Sequence, residues 1–138
     1  MKSLDEIIPE WRSLRTAART ARARAYAPYS NYHVGAAVLT DSRQIVSGCN
    51  VENASYGLTT CAERVAIGAA VANGHRRLIA VCISLTDVAM PCGACRQVLY
   101  EFNPEMLVLL DDISRGDDVV PEVVSLADLF PRAFRLEH

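Results

Sequence analysis

The chain has 138 residues, of which 51% are hydrophobic and 22% are charged, a balance that indicates one globular domain over residues 1–138 and excludes a disordered chain. Its net charge of −2 argues against a nucleic-acid-binding surface, which carries clustered positive charge. The apolar runs are too short to cross a membrane, and the acidic start lacks the apolar segment of a signal peptide.

The first predicted element is an amphipathic helix. Its apolar residues are spaced three or four apart, which is the helical period: Ile7, Trp11, Leu14, Ala18, Ala21 and Ala25. Pro9 falls in the first turn, where proline is tolerated. Four arginines lie on another face: Arg12, Arg15, Arg19 and Arg22. We interpret them first as a solvent-exposed face, second as a subunit contact and third as a nucleic-acid contact.

Strands and helices alternate along the rest of the chain, after a turn over residues 27–31. Apolar and β-branched runs predict strands over residues 34–40, 44–51, 78–85, 106–110 and 119–124. Pro121 confines the last strand to a sheet edge. Helices are predicted from an N-cap at Thr59 or Thr60 to about residue 73, over 92–102 and over 125–130. The alternation predicts an α/β sandwich in which helices cover a mixed sheet.

Three cysteines form the most informative pattern in the chain. Cys61 lies two residues before Glu63, and Cys92 and Cys95 follow about thirty residues later. Three thiolates can hold one Zn²⁺ and leave a coordination position open, which is the pattern of a catalytic zinc site. Cys92 and Cys95 alone also fit half of a structural zinc site or a redox pair. The lack of a fourth thiolate or histidine at ligand spacing favours the catalytic interpretation.

Both cysteine groups lie at predicted helix starts, where the helix dipole lowers the pKa of a thiol. Side chains two residues apart on a helix point roughly 200° apart. Cys61 and Glu63 can therefore serve one site only if the ion lies beyond the end of the helix. We infer that two helix N-termini point at one zinc ion. Arg64 either donates hydrogen bonds to the ligand sulfurs or forms a surface salt bridge.

The remaining cysteines, Cys49 and Cys82, lie within predicted strands, and we interpret them as small buried apolar residues. The total of five cysteines is odd, and thiols kept reduced fit it better than a disulfide framework. The composition therefore predicts a cytoplasmic protein.

Five motifs carry a resemblance to a known family: Tyr29-Ser30, Val34-Gly35-Ala36-Ala37, Gly48-Cys49-Asn50-Val51-Glu52-Asn53-Ala54, Cys61-Ala62-Glu63-Arg64 and Pro91-Cys92-Gly93-Ala94-Cys95-Arg96-Gln97. With them the chain resembles the small, homotetrameric, zinc-dependent cytidine deaminases. The resemblance implies a three-layer α/β/α sandwich around a mixed five-stranded sheet. It also implies one Zn²⁺ per chain and a homotetramer whose active sites are shared between subunits.

The resemblance further implies hydrolytic deamination of cytidine and 2′-deoxycytidine to uridine and 2′-deoxyuridine, with release of ammonia, in pyrimidine salvage. Zinc would activate a water molecule at neutral pH. Glu63 would take the proton of that water, deliver it to N3 of cytosine, and then pass a proton to the departing amino group. The substrate would be a free nucleoside, and we expect neither nucleic acid nor a membrane as partner.

Substrate-binding residues also follow from the resemblance. Asn50 and Glu52 would hydrogen-bond the ribose hydroxyls, and Ala62 would contact the substrate. Tyr32 stands where the family usually has a phenylalanine that packs on the base. Phe134 matches an aromatic residue that reaches a neighbouring subunit's site. The plainer alternatives are a turn residue for Asn50 and a core residue for Phe134.

Some positions depart from the family pattern. His33 stands where proline is common, Met90 stands where serine is common, and the segment over residues 84–90 is about two residues short. Blasticidin-S deaminases are relatives with the same zinc chemistry, so a modified cytosine nucleoside is the second candidate substrate. A zinc-stabilised binding domain and a nucleic-acid deaminase are the alternatives from other functional classes.

Overall fold

A computed structural model describes residues 2–87 and 90–138. It contains one mixed five-stranded sheet, with the strand order β2-β1-β3-β4-β5. The strands are β1 (Gly35–Thr40), β2 (Ile45–Cys49), β3 (Leu78–Leu85), β4 (Leu107–Asp112) and β5 (Glu122–Ser125). Only the β3–β4 pair is parallel among these strands. The predicted mixed sheet is confirmed, including the edge position of the last strand.

Five helices lie in the described parts of the chain, and they cover both faces of the sheet. They are α1 (Leu4–Ile7), α2 (Trp11–Arg22), α3 (Ala62–Ala72), α4 (Gly93–Phe102) and α5 (Leu126–Leu129). α2 packs with Leu39 and Leu109 on one face. α3, α4 and α5 pack with Val81 and Val108 on the other. The three-layer α/β/α sandwich is therefore confirmed. In the described chain, every helix is too short or too polar to traverse a bilayer.

The predicted first helix is in fact two helices, so its expected extent is wrong. α1 ends at Ile7 and α2 begins at Trp11, which leaves Pro9 between them. Proline disfavours helical angles in the residue before it, and Ile8 accordingly has φ −135° and ψ 85°. Ala25 lies beyond the end of α2.

Three of the four arginines of α2, Arg15, Arg19 and Arg22, are at least partly buried, so the four do not form the solvent-exposed face that the sequence predicted, and Arg12 alone among them is exposed. Arg15 is only 7% exposed and donates to the carbonyls of Val119 and Asp117, each at 2.6 Å. Arg19 donates to both carboxylate oxygens of the buried Asp111 at 2.7 Å. These partners lie about a hundred residues away in the chain and come close only because β4 pairs with β3, one of the strands on which α2 packs.

The N-cap of α3 is Cys61, so the predicted cap at Thr59 or Thr60 is wrong. Thr60 is held extended because it exchanges two backbone hydrogen bonds of 2.9 Å with Val51. This bridge closes the loop over residues 52–59 and brings the start of α3 beside the end of β2. A potential metal ligand therefore occupies the capping position.

Two glycines bring helices close to the sheet on its opposite faces. A Cβ at Gly35 would lie 1.9 Å from the Ala18 carbonyl oxygen of α2. A Cβ at Gly48 would lie 2.5 Å from the Ala66 nitrogen of α3. Because any larger side chain would push the helices away, these positions fix α2 and α3 against β1 and β2.

Candidate active site

The three predicted ligands meet at one point. The Sγ atoms of Cys61, Cys92 and Cys95 lie within 4.8 Å of one another, and those of Cys61 and Cys92 are 4.0 Å apart. Tetrahedral zinc with Zn–S bonds near 2.3 Å requires sulfurs about 3.8 Å apart. The donor set and its spacing therefore fit one Zn²⁺ ion.

Two helix N-termini hold this cluster, as the sequence predicted. Cys61 is the N-cap of α3, and Cys92 is the N-cap of α4. The Cys95 backbone N–H donates to the Cys92 sulfur at 3.4 Å. Unpaired N–H groups and the helix dipole favour negative charge at both ends, so the fold stabilises thiolates at this point.

The pKa shifts of Cys61 and Cys95 also favour binding of a cation at the three thiols. The pKa of Cys61 is lowered to about 5, first by a hydrogen bond with Cys95 and further by the Arg64 guanidinium. The pKa of Cys95 is raised, because it is hydrogen-bonded to Cys61 and buried beside Glu63. The protein alone thus favours one thiolate and resists a second charge next to it. A divalent cation would offset that repulsion, and the thiols that bind it would therefore lose their protons.

Arg64 contacts a sulfur of the cluster. Its Nη2 lies 3.6 Å from the Cys61 Sγ and 3.5 Å from the Thr59 carbonyl oxygen. Among the described residues, no carboxylate forms a salt bridge with it. The hydrogen bond with Cys61 raises the Arg64 pKa. Arg64 therefore supplies positive charge to the sulfurs and offsets part of the charge that three thiolates bring.

Glu63 lies in the first turn of α3, beside the cluster but outside it. The side chain is buried, with the residue 4% exposed. Burial raises the pKa of its carboxyl group, and the neighbouring Cys61 raises it further. A carboxylate whose pKa moves towards neutrality is suited to take up a proton and release it again.

A cavity of about 270 Å³ opens onto this carboxylate. Seven of the residues that the sequence analysis assigned to the site line it: Tyr32, Asn50, Glu52, Cys61, Ala62, Glu63 and Cys92. Six further residues line the cavity without having been predicted as site residues: Val34, Thr59, Ile83, Leu85, Met90 and Pro91. The period of two along β3 puts Ile83 and Leu85 on one face, but it does not say that this face ends in a cavity.

Asn50 and Glu52 are held in fixed orientations at the cavity. The Asn50 Oδ1 accepts from the Val34 N–H at 2.9 Å, and its Nδ2 donates to the Tyr32 carbonyl at 2.7 Å. The Glu52 Oε1 accepts from the Tyr29 N–H at 2.9 Å, and a hydrogen bond from the Ser30 hydroxyl lowers the Glu52 pKa. Glu52 is therefore a stable anion with a defined direction.

Two further predictions concern Phe134 and the segment over residues 84–90. Phe134 is 65% exposed, which excludes the core alternative, and it is not among the residues lining the cavity of its own chain. Its carbonyl accepts a hydrogen bond from the Gln97 side chain at 3.0 Å. The predicted shortening of the segment over residues 84–90 falls partly on Val88 and Ala89, which lie outside the described residues.

Comparison with known proteins identifies relatives of this architecture. The family model for the cytidine and deoxycytidylate deaminase zinc-binding region matches residues 10–110. A cytidine deaminase of Mycobacterium tuberculosis (strain CDC 1551 / Oshkosh) is 45% identical over 130 residues, covering 91% of this chain and 97% of its own. The crystal structure of cytidine deaminase from Burkholderia pseudomallei is 46% identical with a TM-score of 0.81, covering 88% of this chain and 97% of that one. A blasticidin-S deaminase of Bacillus cereus is 35% identical over 92 residues, covering 59% of this chain and 66% of its own.

The sulfur cluster predicts how zinc content responds to mutation. Purified protein should contain one zinc per chain by mass spectrometry of the metal. Cys92→Ser should lower zinc affinity more than about 100-fold, since even losing a partner outside the ligand shell costs about 10–100-fold. Cys49→Ser is the matched control and should keep its zinc, because Cys49 is outside the cluster. Stoichiometric zinc in Cys92→Ser would contradict the ligand assignment.

Proposed function

This chain belongs to the cytidine and deoxycytidylate deaminase zinc-binding family, and we propose from this premise that it hydrolyses cytidine and 2′-deoxycytidine to uridine and 2′-deoxyuridine, with release of ammonia. The observation that carries the proposal is the buried Glu63 carboxylate. It lies beside three cysteine thiols that can hold a metal ion and faces a cavity of about 270 Å³.

The proposed mechanism assigns the metal to Cys61, Cys92 and Cys95. When bound there, Zn²⁺ supplies Lewis acidity that activates water at neutral pH. Glu63 accepts the proton of the attacking water and delivers it to N3 of the cytosine ring. After the water oxygen has bonded to C4, the same carboxylate takes the remaining proton of that hydroxyl and passes it to the amino group, so that the C4–N bond breaks, the C4=O bond forms and ammonia departs. Burial raises the pKa of this carboxyl group, which makes the protonated form that donates to the substrate easier to reach.

The charges around the cavity favour a nucleoside over a nucleotide. Of the described residues that line it, none is a lysine or an arginine, while Glu52 and Glu63 are acidic. A substrate phosphate would find no cationic partner there and would be repelled by these carboxylates. This separates the proposed substrate from deoxycytidylate, which the family name also covers.

We assign the substrate contacts by position. Asn50 and Glu52 bind the ribose hydroxyls, since both are directed by backbone hydrogen bonds and line the cavity. Tyr32 packs against the base, and Ala62 forms part of the buried wall next to Glu63.

We further propose a homotetramer in which Phe134 completes a neighbouring subunit's site. Phe134 is exposed and lies outside its own cavity. Tyr26, Tyr29 and Tyr56 are exposed as well, and apolar surface of this kind is typical of protein–protein contacts.

Reduced thiols at the metal fit a cytoplasmic location, where the reaction would return cytosine nucleosides to the uracil pool in pyrimidine salvage.

A substrate panel tests the proposed function directly. Loss of cytosine absorbance should be fast with cytidine and 2′-deoxycytidine. It should be at least about 100-fold slower with CMP, because the cavity offers its phosphate no counter-charge. Blasticidin S and a cytosine within single-stranded DNA complete the panel. Turnover of either of these without turnover of cytidine would overturn the assignment.

The Glu63→Gln variant tests the proton transfer. It should fold and bind zinc as before, while kcat falls by about 10²–10⁴-fold, the usual contribution of a positioned acid–base group. Glu105→Gln, on the exposed surface, is the control and should keep full activity. Full activity in Glu63→Gln would exclude the proton-shuttle role. Activity in neither the wild type nor the variant would favour a zinc-stabilised binding domain.

Light scattering tests the shared site. The particle mass should be about four times the 15.1 kDa of one chain. Phe134→Ala should lower kcat/KM about three- to tenfold, the usual value of one aromatic contact, without changing zinc content. Leu136→Ala removes another exposed side chain of the same tail and should have no effect. An active monomer would contradict this proposal.

A further inference from the structure

Arg22, the last residue of α2, bridges two segments that line the cavity. Its Nε donates to the His33 carbonyl at 3.0 Å, and its Nη2 donates to the Thr86 hydroxyl at 3.2 Å. His33 lies between two cavity-lining residues, Tyr32 and Val34, and Thr86 directly follows another, Leu85. The guanidinium thus joins the two walls from the side of the sheet opposite to the cavity.

The end of α2 is well suited to be a fixed support. Gly35 allows the backbone of α2 to lie directly on β1, since a Cβ there would be 2.6 Å from the Arg22 nitrogen. One turn earlier, Arg19 binds both oxygens of the buried Asp111 at 2.7 Å. Asp111 also accepts from the Ser84 hydroxyl at 2.6 Å. Gly35, Ser84 and Asp111 are neighbours across three strands, so α2 is attached to all three at this end of the sheet.

The first wall is held from both sides. From the cavity side, the Asn50 side chain binds the Tyr32 carbonyl and the Val34 N–H. From the α2 side, Arg22 binds the carbonyl of His33 between them. Removal of Arg22 would leave that carbonyl without its charged donor and free the segment to shift relative to Thr86.

We propose that Arg22 is a positioning residue that sets the separation between the Tyr32–Val34 wall and the Leu85–Thr86 wall of the cavity, and through it the affinity for the cytosine ring. The inference rests on the proposed function. It adds a determinant of substrate binding that touches neither the substrate nor the metal cluster and lies on the far side of the sheet.

Arg22→Met tests the proposal, because it keeps the aliphatic stem and removes the guanidinium. KM for cytidine should rise about five- to tenfold, which is less than the full value of one charged hydrogen bond, because the lost contacts act on the substrate only through the wall they hold. Zinc content should be unchanged and kcat should change less than about twofold, since Glu63 and the cysteines lie on other elements. Arg22→Lys retains a cationic donor and should give an intermediate KM. Arg24→Met is the matched control, because Arg24 is exposed and makes no side-chain hydrogen bond within the described chain, and it should match the wild type.

A double-mutant cycle tests the second contact. Thr86→Val should raise KM about two- to threefold by itself, as expected for one hydrogen bond. It should add nothing in the Arg22→Met background, since the donor is already gone. Additive effects of the two changes would overturn the bridge between the walls.

Amide hydrogen exchange supplies a readout that does not depend on the substrate. The Val34 N–H donates to the Asn50 side chain and the Asn50 N–H donates to the Val34 carbonyl, so both amides should exchange faster in Arg22→Met than in the wild type, and Arg24→Met should not differ. Unchanged KM and unchanged exchange would overturn the proposal, and so would a fall in kcat at constant KM. Absence of cytidine turnover in the wild type would overturn the proposed function alone, and exchange would still decide the role of Arg22. If Arg22→Met does not fold, Arg22→Lys and Thr86→Val carry the same comparison.

Discussion

The close approach of three cysteine sulfurs is the constraint on which the rest of the structure depends. Three thiolates within 4.8 Å repel one another strongly, and the protein offsets that repulsion from several directions. Two helix N-termini point at the cluster, and Arg64 donates to one sulfur. The metal supplies the remaining charge. The fold brings the N-termini of α3 and α4 together at these sulfurs.

The parallel pair of strands explains where that place is. β3 and β4 are joined by a crossover that contains α4, so α4 must begin beyond the carboxyl end of β3. α3 comes to the same end because Gly48 lets it lie directly on β2. Ligands in open α/β sheets bind beyond the carboxyl ends of strands. The cavity and the cluster therefore share one edge of the sheet.

The opposite face of the sheet has a supporting role. The arginines of α2 bind groups of the same chain, and the buried Asp111 receives two hydrogen bonds from Arg19. Arg12 and Arg19 pair with carboxylates, while Arg15 and Arg22 donate to backbone carbonyls, so each guanidinium has a partner within the chain. The same contacts hold the sheet from the face opposite to the cavity. β3 carries the lining residues Ile83 and Leu85 on one face, and on the other it carries Ser84, which donates to Asp111.

From the sequence alone it was possible to predict the mixed sheet, the helices that cover it, and that Cys61, Cys92 and Cys95 meet beside Glu63. These depend on periods, caps and spacings within a few residues, and such local rules hold wherever the segment lies. Sequence-based prediction failed at Pro9, where the conformation of Ile8 excludes one continuous helix, and at the N-cap of α3, where a bridge to Val51 keeps Thr60 extended. Only the tertiary structure decided that Arg15 is buried and that Arg22 reaches Thr86. It alone decided that Phe134 lies outside its own cavity. Arg15 and its partner Val119 are 104 residues apart, and no local pattern encodes a contact that forms only when strands distant in sequence become neighbours in a sheet.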